Sequence, residues 1–257
     1  MPTLTIAVMT LNEASQIEAC LRSAAFADQL LVVDSGSTDD TVALAQRLGA
    51  EVHTHADWQG FAEQRNRLMT HTRGDWVLFL DADEVIPPEL ATDIRAAVQR
   101  NEDRVYEITW LQLAFGQPLT HMRSGPGLPR LFPMRQLLGF DGVVHEGPRL
   151  RDPSIPRTTL RHRLWHYSRR SVHQSLVKLA QYAQLGAVKR QGQGKTGGVR
   201  RGLASGLASF VRLYFFHRGF LCGRAGFLHC LFIALESFFR YTALAVDQDD
   251  LQHPASR

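Results

Sequence analysis

Acidic residues are missing from a long interval of this chain: between Asp152 and Glu236 there is not one Asp or Glu. The same interval is rich in Arg and Lys, so the net charge of +4 over 257 residues hides an asymmetry, with most carboxylates in the first half. Such a split points to an acidic partner for the second half: phosphate groups, nucleic acid or anionic lipid. Cysteine is also scarce. Cys20, Cys222 and Cys230 are odd in number and unclustered, which argues against a disulfide framework and a zinc site. A reducing compartment fits, with no disulfide-linked partner. The start, MPTLTIAVMTLNE, has no basic residues ahead of its apolar ones and reads as a first strand, not a signal peptide. Internal repeats are absent. In the aromatic, apolar stretch Leu203 to Val246, the residues Arg212, His217, Arg218, Arg224, Glu236 and Arg240 interrupt every run that approaches the ~20 apolar residues needed to span a bilayer.

What is present is a core-forming composition, 44% hydrophobic, arranged in alternating short segments. Leu4 to Met9 is a β-branched apolar run, followed by helical spacing from Ala14 to Ala25. Leu30 to Val33 is a second strand, ending at Asp34, and leads through SGSTDD into a helix carrying Val42, Leu44, Ala45 and Leu48. Glu51 to His55 reads as a weak third strand, Gly60 to Thr70 as helix, and Trp76 to Leu80 as the strongest strand. Pro87 starts a further helix that runs to Arg100. This alternation predicts an α/β fold, a mainly parallel sheet with helices on both faces. Ligands of such sheets bind beyond the carboxyl ends of the strands.

Three polar segments fall at those ends: Thr10-Leu11-Asn12-Glu13, Asp34-Ser35-Gly36-Ser37 and Asp81-Ala82-Asp83. Each alone has a structural reading, as a helix cap or a turn. Together they converge on one edge of the sheet. Carboxylates as close as Asp81, Asp83 and Glu84 repel unless a cation sits among them. Mg²⁺ or Mn²⁺, hard cations served by carboxylate oxygens, is the kind of ion such a group suits. Glu84 reads instead as a first-turn helix acid ahead of Pro87.

The three motifs, TLNE, DSGSTDDT and DAD, resemble those of family 2 glycosyltransferases of GT-A fold, over roughly residues 4 to 166. Further segments, DWQGFAEQRNRL, FDGVVHEGP and RGFLCGRAGF, resemble the branch containing bacterial lipopolysaccharide core glucosyltransferases. There Cys222 takes the place of an Asp common in relatives, which puts that Asp's role in doubt here. The resemblance implies a nucleotide-sugar donor, a UDP-sugar, and inversion at the anomeric carbon. It implies that Thr10, Asn12 and Glu13 line the nucleotide pocket, that Asp34 contacts the uracil or ribose, and that Asp81 and Asp83 hold the diphosphate through the metal. It places the catalytic base at Glu146, with His145 as fallback and a structural pairing of Glu146 with Arg149 as the bland reading. His166 is a candidate to complete the metal site or contact phosphate, and equally a packed structural His. Arg65 and Arg130 are candidate phosphate ligands, with Arg65 also placed at the donor. Trp58 and Gln59 touch the donor or sit in the core.

The remaining segments divide the chain into a catalytic domain over 1–190, a flexible Gly-rich basic linker over 191–202 (QGQGKTGGVRRG) and an amphipathic helical tail over 203–257. The tail reads as helices lying on an anionic membrane surface, or as a helical subdomain packed on the core. The expected function is transfer of a hexose, glucose, to a lipid-linked acceptor such as the lipopolysaccharide inner core, at the cytoplasmic face of a bacterial inner membrane. A polyprenyl-phosphate glycosyltransferase shares the same first half. A sugar-phosphate nucleotidyltransferase needs a Gly-rich loop with Arg and Lys after the first strand, which TLNEASQ lacks. A phosphatase of the haloacid-dehalogenase type carries its Asp-x-Asp on the first strand, not the fourth. A nucleic-acid-binding role suits the basic interval but not its aromatics, which cluster in apolar runs away from the basic residues.

Overall fold

The computed structural model describes residues 1–142, 147–247 and 251. The chain divides into two compact units, one of residues 1–110 and 125–166, the other of 111–124 and 167–257.

The first unit is built on a seven-stranded sheet. In chain order its elements are β1 (Leu4–Thr10), α1 (Ile17–Ser23), β2 (Gln29–Asp34), α2 (Thr41–Arg47), β3 (Glu51–Thr54), α3 (Phe61–His71), β4 (Trp76–Asp81), the two-residue β5 (Glu84–Val85), α4 (Pro88–Arg100) and β6 (Val105–Ile108). After β7 (Trp110–Ala114) and β8 (Gln117–Pro118) come β9 (Leu128–Pro133), β10 (Leu137–Asp141), β11 (Gly147–Leu150), β12 (Arg157–Thr159) and β13 (Leu164–Arg169). The sheet order is β12-β6-β9-β4-β1-β2-β3. Pairing is parallel except around β9, which runs antiparallel between β4 and β6. This is the α/β sheet with helices on both faces that the alternation of segments predicts.

Period-two alternation sorts the core. Trp76, Leu78 and Leu80 of β4 pack with Ile6, Val8 and the apolar faces of α1 and α4, including Ile17, Leu21, Leu90 and Ile94. Val77 and Phe79 point the other way, to Leu31, Val33, Leu68 of α3, Phe132 and Phe140. Burial on both faces explains why β4 is a continuous apolar run. Register then aligns the strand ends: Thr10 lies opposite Asp34 and Met9 opposite Asp81. Helix α4 stops at Asn101, which takes the left-handed conformation (φ 51°) and accepts a hydrogen bond from the Trp76 indole at 3.1 Å.

The second unit is helical: α5 (Val172–Gly192), α6 (Val199–Val211), a π-type turn (Arg212–Phe216), a 3-10 turn (Gly219–Cys222) and α7 (Gly223–Val246). Two expectations change here. The stretch 191–202 is not a flexible linker. Its first two residues end α5, its last four begin α6, and only 193–198 connect them. The glycines serve close packing: a Cβ on Gly197 would lie 2.5 Å from the Tyr241 carbonyl oxygen, and one on Gly202 2.8 Å from that of Phe238. Nor do the interrupting charges remove every long apolar helix, because Gly219–Val246 is long and apolar enough to cross a membrane by length and composition. Partial burial of this helix inside the unit, with His229, Phe232 and Ser237 covered, weakens that indication. Cys222 packs against Ala114, Leu119 and Ala225.

Candidate active site

The three strand ends lock together through side chains. After β1 the backbone of Asn12 is left-handed (φ 54°), a conformation Asn tolerates. Asn12 donates its N–H to Ser37 Oγ at 2.8 Å and accepts from Thr38 N–H at 2.8 Å. Glu13 donates its N–H to Thr41 Oγ1 at 2.8 Å, while its carboxylate accepts from the Gln16 amide at 3.0 Å. At the end of β2, Asp34 is fully enclosed and turns the chain: it accepts from the N–H groups of Gly36 and Ser37 at 3.0 and 2.9 Å and from the Ser37 hydroxyl at 2.5 Å. The first two polar ends therefore form one cradle. Thr10 lies at its base with a buried Oγ1 that has no hydrogen-bond partner among the described residues.

The third end is an ion cluster. Arg130 of β9 is buried and donates through Nη2 to Asp81 at 2.9 Å and to Glu84 at 3.1 Å. Trp110 covers the guanidinium with its ring at 5.5 Å and donates its indole N–H to Glu84 at 2.6 Å. The second Glu84 oxygen accepts from the Asp81 N–H at 2.9 Å. Glu84 thus sits in β5, fully buried, and is not a solvent-facing helix acid. Arg130 is engaged by carboxylates, not held open for phosphate. Neither partner was legible locally; the one signal was an Arg on a strand that is otherwise apolar.

Electrostatics separates the two acids. Burial raises the Asp81 carboxyl, but the charges of Arg130 and then Arg65 outweigh it and bring it down to about 2. Burial likewise raises Glu84; Arg130 opposes, the Asp81 charge adds, and the net effect is upward, to about 7. Asp81 is the anion of the cluster, and its side chain keeps 37% of its surface exposed. Arg65, from α3, is buried over the rings of Phe79 and Phe140. Asp83 faces His166, whose Nε2 is 3.4 Å from its Oδ2. Burial lowers the His166 pKa, but the hydrogen bond and charge of Asp83 raise it further, so the net shift is up. The His166 ring lies 5.4 Å from that of Trp110, and its Nδ1 is buried with no hydrogen-bond partner among the described residues.

Among the described residues no group of three His, Cys, Asp or Glu forms a metal cage. Asp81 and Asp83 still suit a hard divalent ion. They offer carboxylate oxygens, and such an ion commonly takes its other ligands from phosphate and water. Two buried polar atoms nearby, Thr10 Oγ1 and His166 Nδ1, have no hydrogen-bond partner among the described residues and suit a polar ligand. Trp58 stacks edge-on against Phe61 at 5.0 Å, and Gln59 bonds Asp57 at 2.9 Å. Glu146 and His145 lie outside the described residues.

A sheet whose parallel strands deliver an acidic cluster and a polar cradle to one edge is the architecture of a nucleotide-sugar enzyme of GT-A fold. The model of Glycosyl transferase family 2 matches residues 5–136, about half of the chain, and the protein belongs to that family. An uncharacterised glycosyltransferase of Rickettsia bellii is 29% identical over 255 residues, spanning 92% of this chain and 84% of the relative. The Bacillus subtilis prophage-derived glycosyltransferase SunS is 28% identical over 159 residues, 60% of this chain and 37% of that protein. Among solved structures, Staphylococcus aureus TarS 1-349 is similar at 20% identity with a TM-score of 0.39. The chain covers 47% of that structure, about half its length, using 51% of its own residues. Mycobacterium tuberculosis glucosyl-3-phosphoglycerate synthase, solved with Mn²⁺, UDP and glucosyl-3-phosphoglycerate, is similar at 21% identity and a TM-score of 0.45, over 70% of this chain and 75% of that one.

Proposed function

We propose that this glycosyltransferase is an inverting hexosyltransferase that moves glucose from a UDP-sugar to a lipid-linked saccharide, such as the lipopolysaccharide inner core, at the cytoplasmic face of a bacterial inner membrane. The observation that carries the reading is the aligned edge, where Thr10, Asp34 and Asp81 end in register and Arg130 keeps Asp81 ionised. Thr10, Asn12, Glu13 and Asp34 form the nucleoside end of the pocket. Asp81 and Asp83 hold the diphosphate end, with Mg²⁺ or Mn²⁺ supplying charge stabilisation for the leaving group when bound. Protonated His166 orients Asp83 and adds positive charge where the diphosphate lies. Arg65 contributes a second buried cation beside Asp81. Glu146 takes the proton from the acceptor hydroxyl as that oxygen attacks the anomeric carbon from the face opposite the departing diphosphate. The second unit supports a membrane-bound acceptor, because it exposes large apolar side chains such as Leu203, Leu207, Phe215 and Phe216 amid a surface poor in acids.

A panel of nucleotide sugars, scored for hydrolysis with and without divalent ions, tests the donor. Metal-dependent turnover of UDP-glucose is the expected result, and Asp83→Ala abolishes it. Near-normal transfer by Glu146→Gln removes the base assignment. Radiolabel recovered in a butanol-extractable lipid phosphate instead of a core oligosaccharide makes the chain a polyprenyl-phosphate transferase.

A further inference from the structure

The six residues joining α5 to α6 do more than connect. Together with Arg201, Ser205 and Tyr241, the segment Gly194-Lys195-Thr196 lines an open recess of about 490 Å³. Its charged lining is Lys195 and Arg201, both cationic, and its other polar side chains are the hydroxyls of Thr196, Ser205 and Tyr241. Among the described residues no carboxylate lines it, and the second unit has only Glu236 and Asp247 as acids there. Glu236 is already paired with Arg240.

The recess is built, not incidental. Arg201 folds back to donate to the Thr196 carbonyl at 2.8 Å and also meets the Thr196 hydroxyl. Arg190 lies over the Tyr241 ring at 4.9 Å, adding a third cation behind the wall. Gly194 (φ 67°) and Gly198 (φ 137°) adopt backbone conformations that a side chain would strain. Gly198 N–H is fixed on the Tyr241 carbonyl at 2.8 Å, and Gly197 is too close to α7 to bear a side chain. A flexible basic tether needs none of these contacts. Helix α6 begins beside this wall, with Gly202 N–H bonded to the Gly198 carbonyl at 2.9 Å. Cations and hydroxyls around a concave surface are a donor set that recognises a phosphate oxygen.

We propose that this corner is a phosphate-binding site, taking a phosphomonoester or a free phosphate. It contains no residue of the sheet-edge site and does not depend on the donor assigned to that site. Phosphate neutralises Lys195 and Arg201 together, and accepts from the Thr196 hydroxyl, whose oxygen already takes a bond from Arg201, while Ser205 is held by Ser237 at 2.7 Å.

The test uses the full chain at low ionic strength, with inorganic phosphate in one arm and vesicles in the other. The vesicles hold phosphatidic acid in phosphatidylcholine, against phosphatidylcholine alone. Lys195→Gln and Lys195→Glu are compared with wild type, and Gln is retained so that a folding defect in the reversal variant does not decide the outcome. Losing a charge-assisted contact is expected to weaken binding about tenfold, and reversal more. Loss in the inorganic phosphate arm identifies a soluble phosphate as the ligand; loss confined to phosphatidic acid vesicles identifies a lipid headgroup. If both variants bind both probes like wild type, or wild type binds neither, the proposal is overturned.

Discussion

The two units handle charge in opposite ways. At the sheet edge each acid is matched to a specific partner: Arg130 stands between Asp81 and Glu84, and His166 faces Asp83. In the helical unit cations far outnumber acids, and large apolar side chains face outward, with Phe216 69% and Leu207 66% exposed. Internal matching rigidifies a place where a small ligand must be positioned. Unmatched charge and exposed carbon favour an external surface instead. A buried ion costs several kcal/mol unless paired, so the first arrangement is intolerant of change, while the second adds little to stability.

The sharpest way to break the contrast is Arg130→Met. It strands Glu84 and Asp81, and is expected to cost about 3–5 kcal/mol in urea unfolding. Adding Glu84→Gln recovers part of that loss, because one of the two stranded acids becomes neutral and the other, Asp81, keeps partial contact with water. Gly202→Val comes next. Its side chain meets the Phe238 carbonyl and ring at the α6–α7 contact, and overpacking there costs about 1–3 kcal/mol. Calorimetry is expected to show a lower melting temperature than wild type.

A smaller effect comes from Glu51, whose carboxyl is brought down to about 2 by hydrogen bonding to His53, against burial, with Gln29 and Arg73 helping. A depressed folded pKa contributes stability that is present above the ordinary carboxyl range and disappears as pH falls toward 2. Glu51→Gln is therefore expected to flatten the fall in stability between about pH 4.5 and 2, read from acid titration of the unfolding midpoint. Least of all in stability is Leu207→Ser with Phe216→Ser, expected to stay within about 0.5 kcal/mol. The same pair is expected to reduce sedimentation with anionic vesicles, and unchanged sedimentation would detach the apolar face from any membrane role.

The succession of strands and helices along the first hundred residues and the meeting of three polar ends were legible, because short apolar runs, helical spacing and polar strand ends are written locally. Glu84 was not. Its neighbours, Pro87 and a following helix, fit a capping acid, and the partners that bury it are Trp110 and Arg130, far along the chain. The glycines of 191–202 misled for the same reason. A glycine that frees the backbone and one that lets helices touch look alike until the opposing carbonyl is known. Cys222 was readable as a departure from relatives, but only the fold places it against Ala114, Leu119 and Ala225.

The antiparallel strand β9 sets an order of events during synthesis. Arg130 lies 49 residues after Asp81 and 46 after Glu84. A ribosome adding ~5–20 residues per second makes the acids seconds before the cation that holds them. Until then β4 has β1 as its parallel neighbour, with β2 beyond it, but an open edge on its other side, ending in unneutralised acids. The growing chain cannot close its sheet around those carboxylates in advance, and the late arrival of one arginine both fills the gap between β4 and β6 and switches on the charge balance of the site.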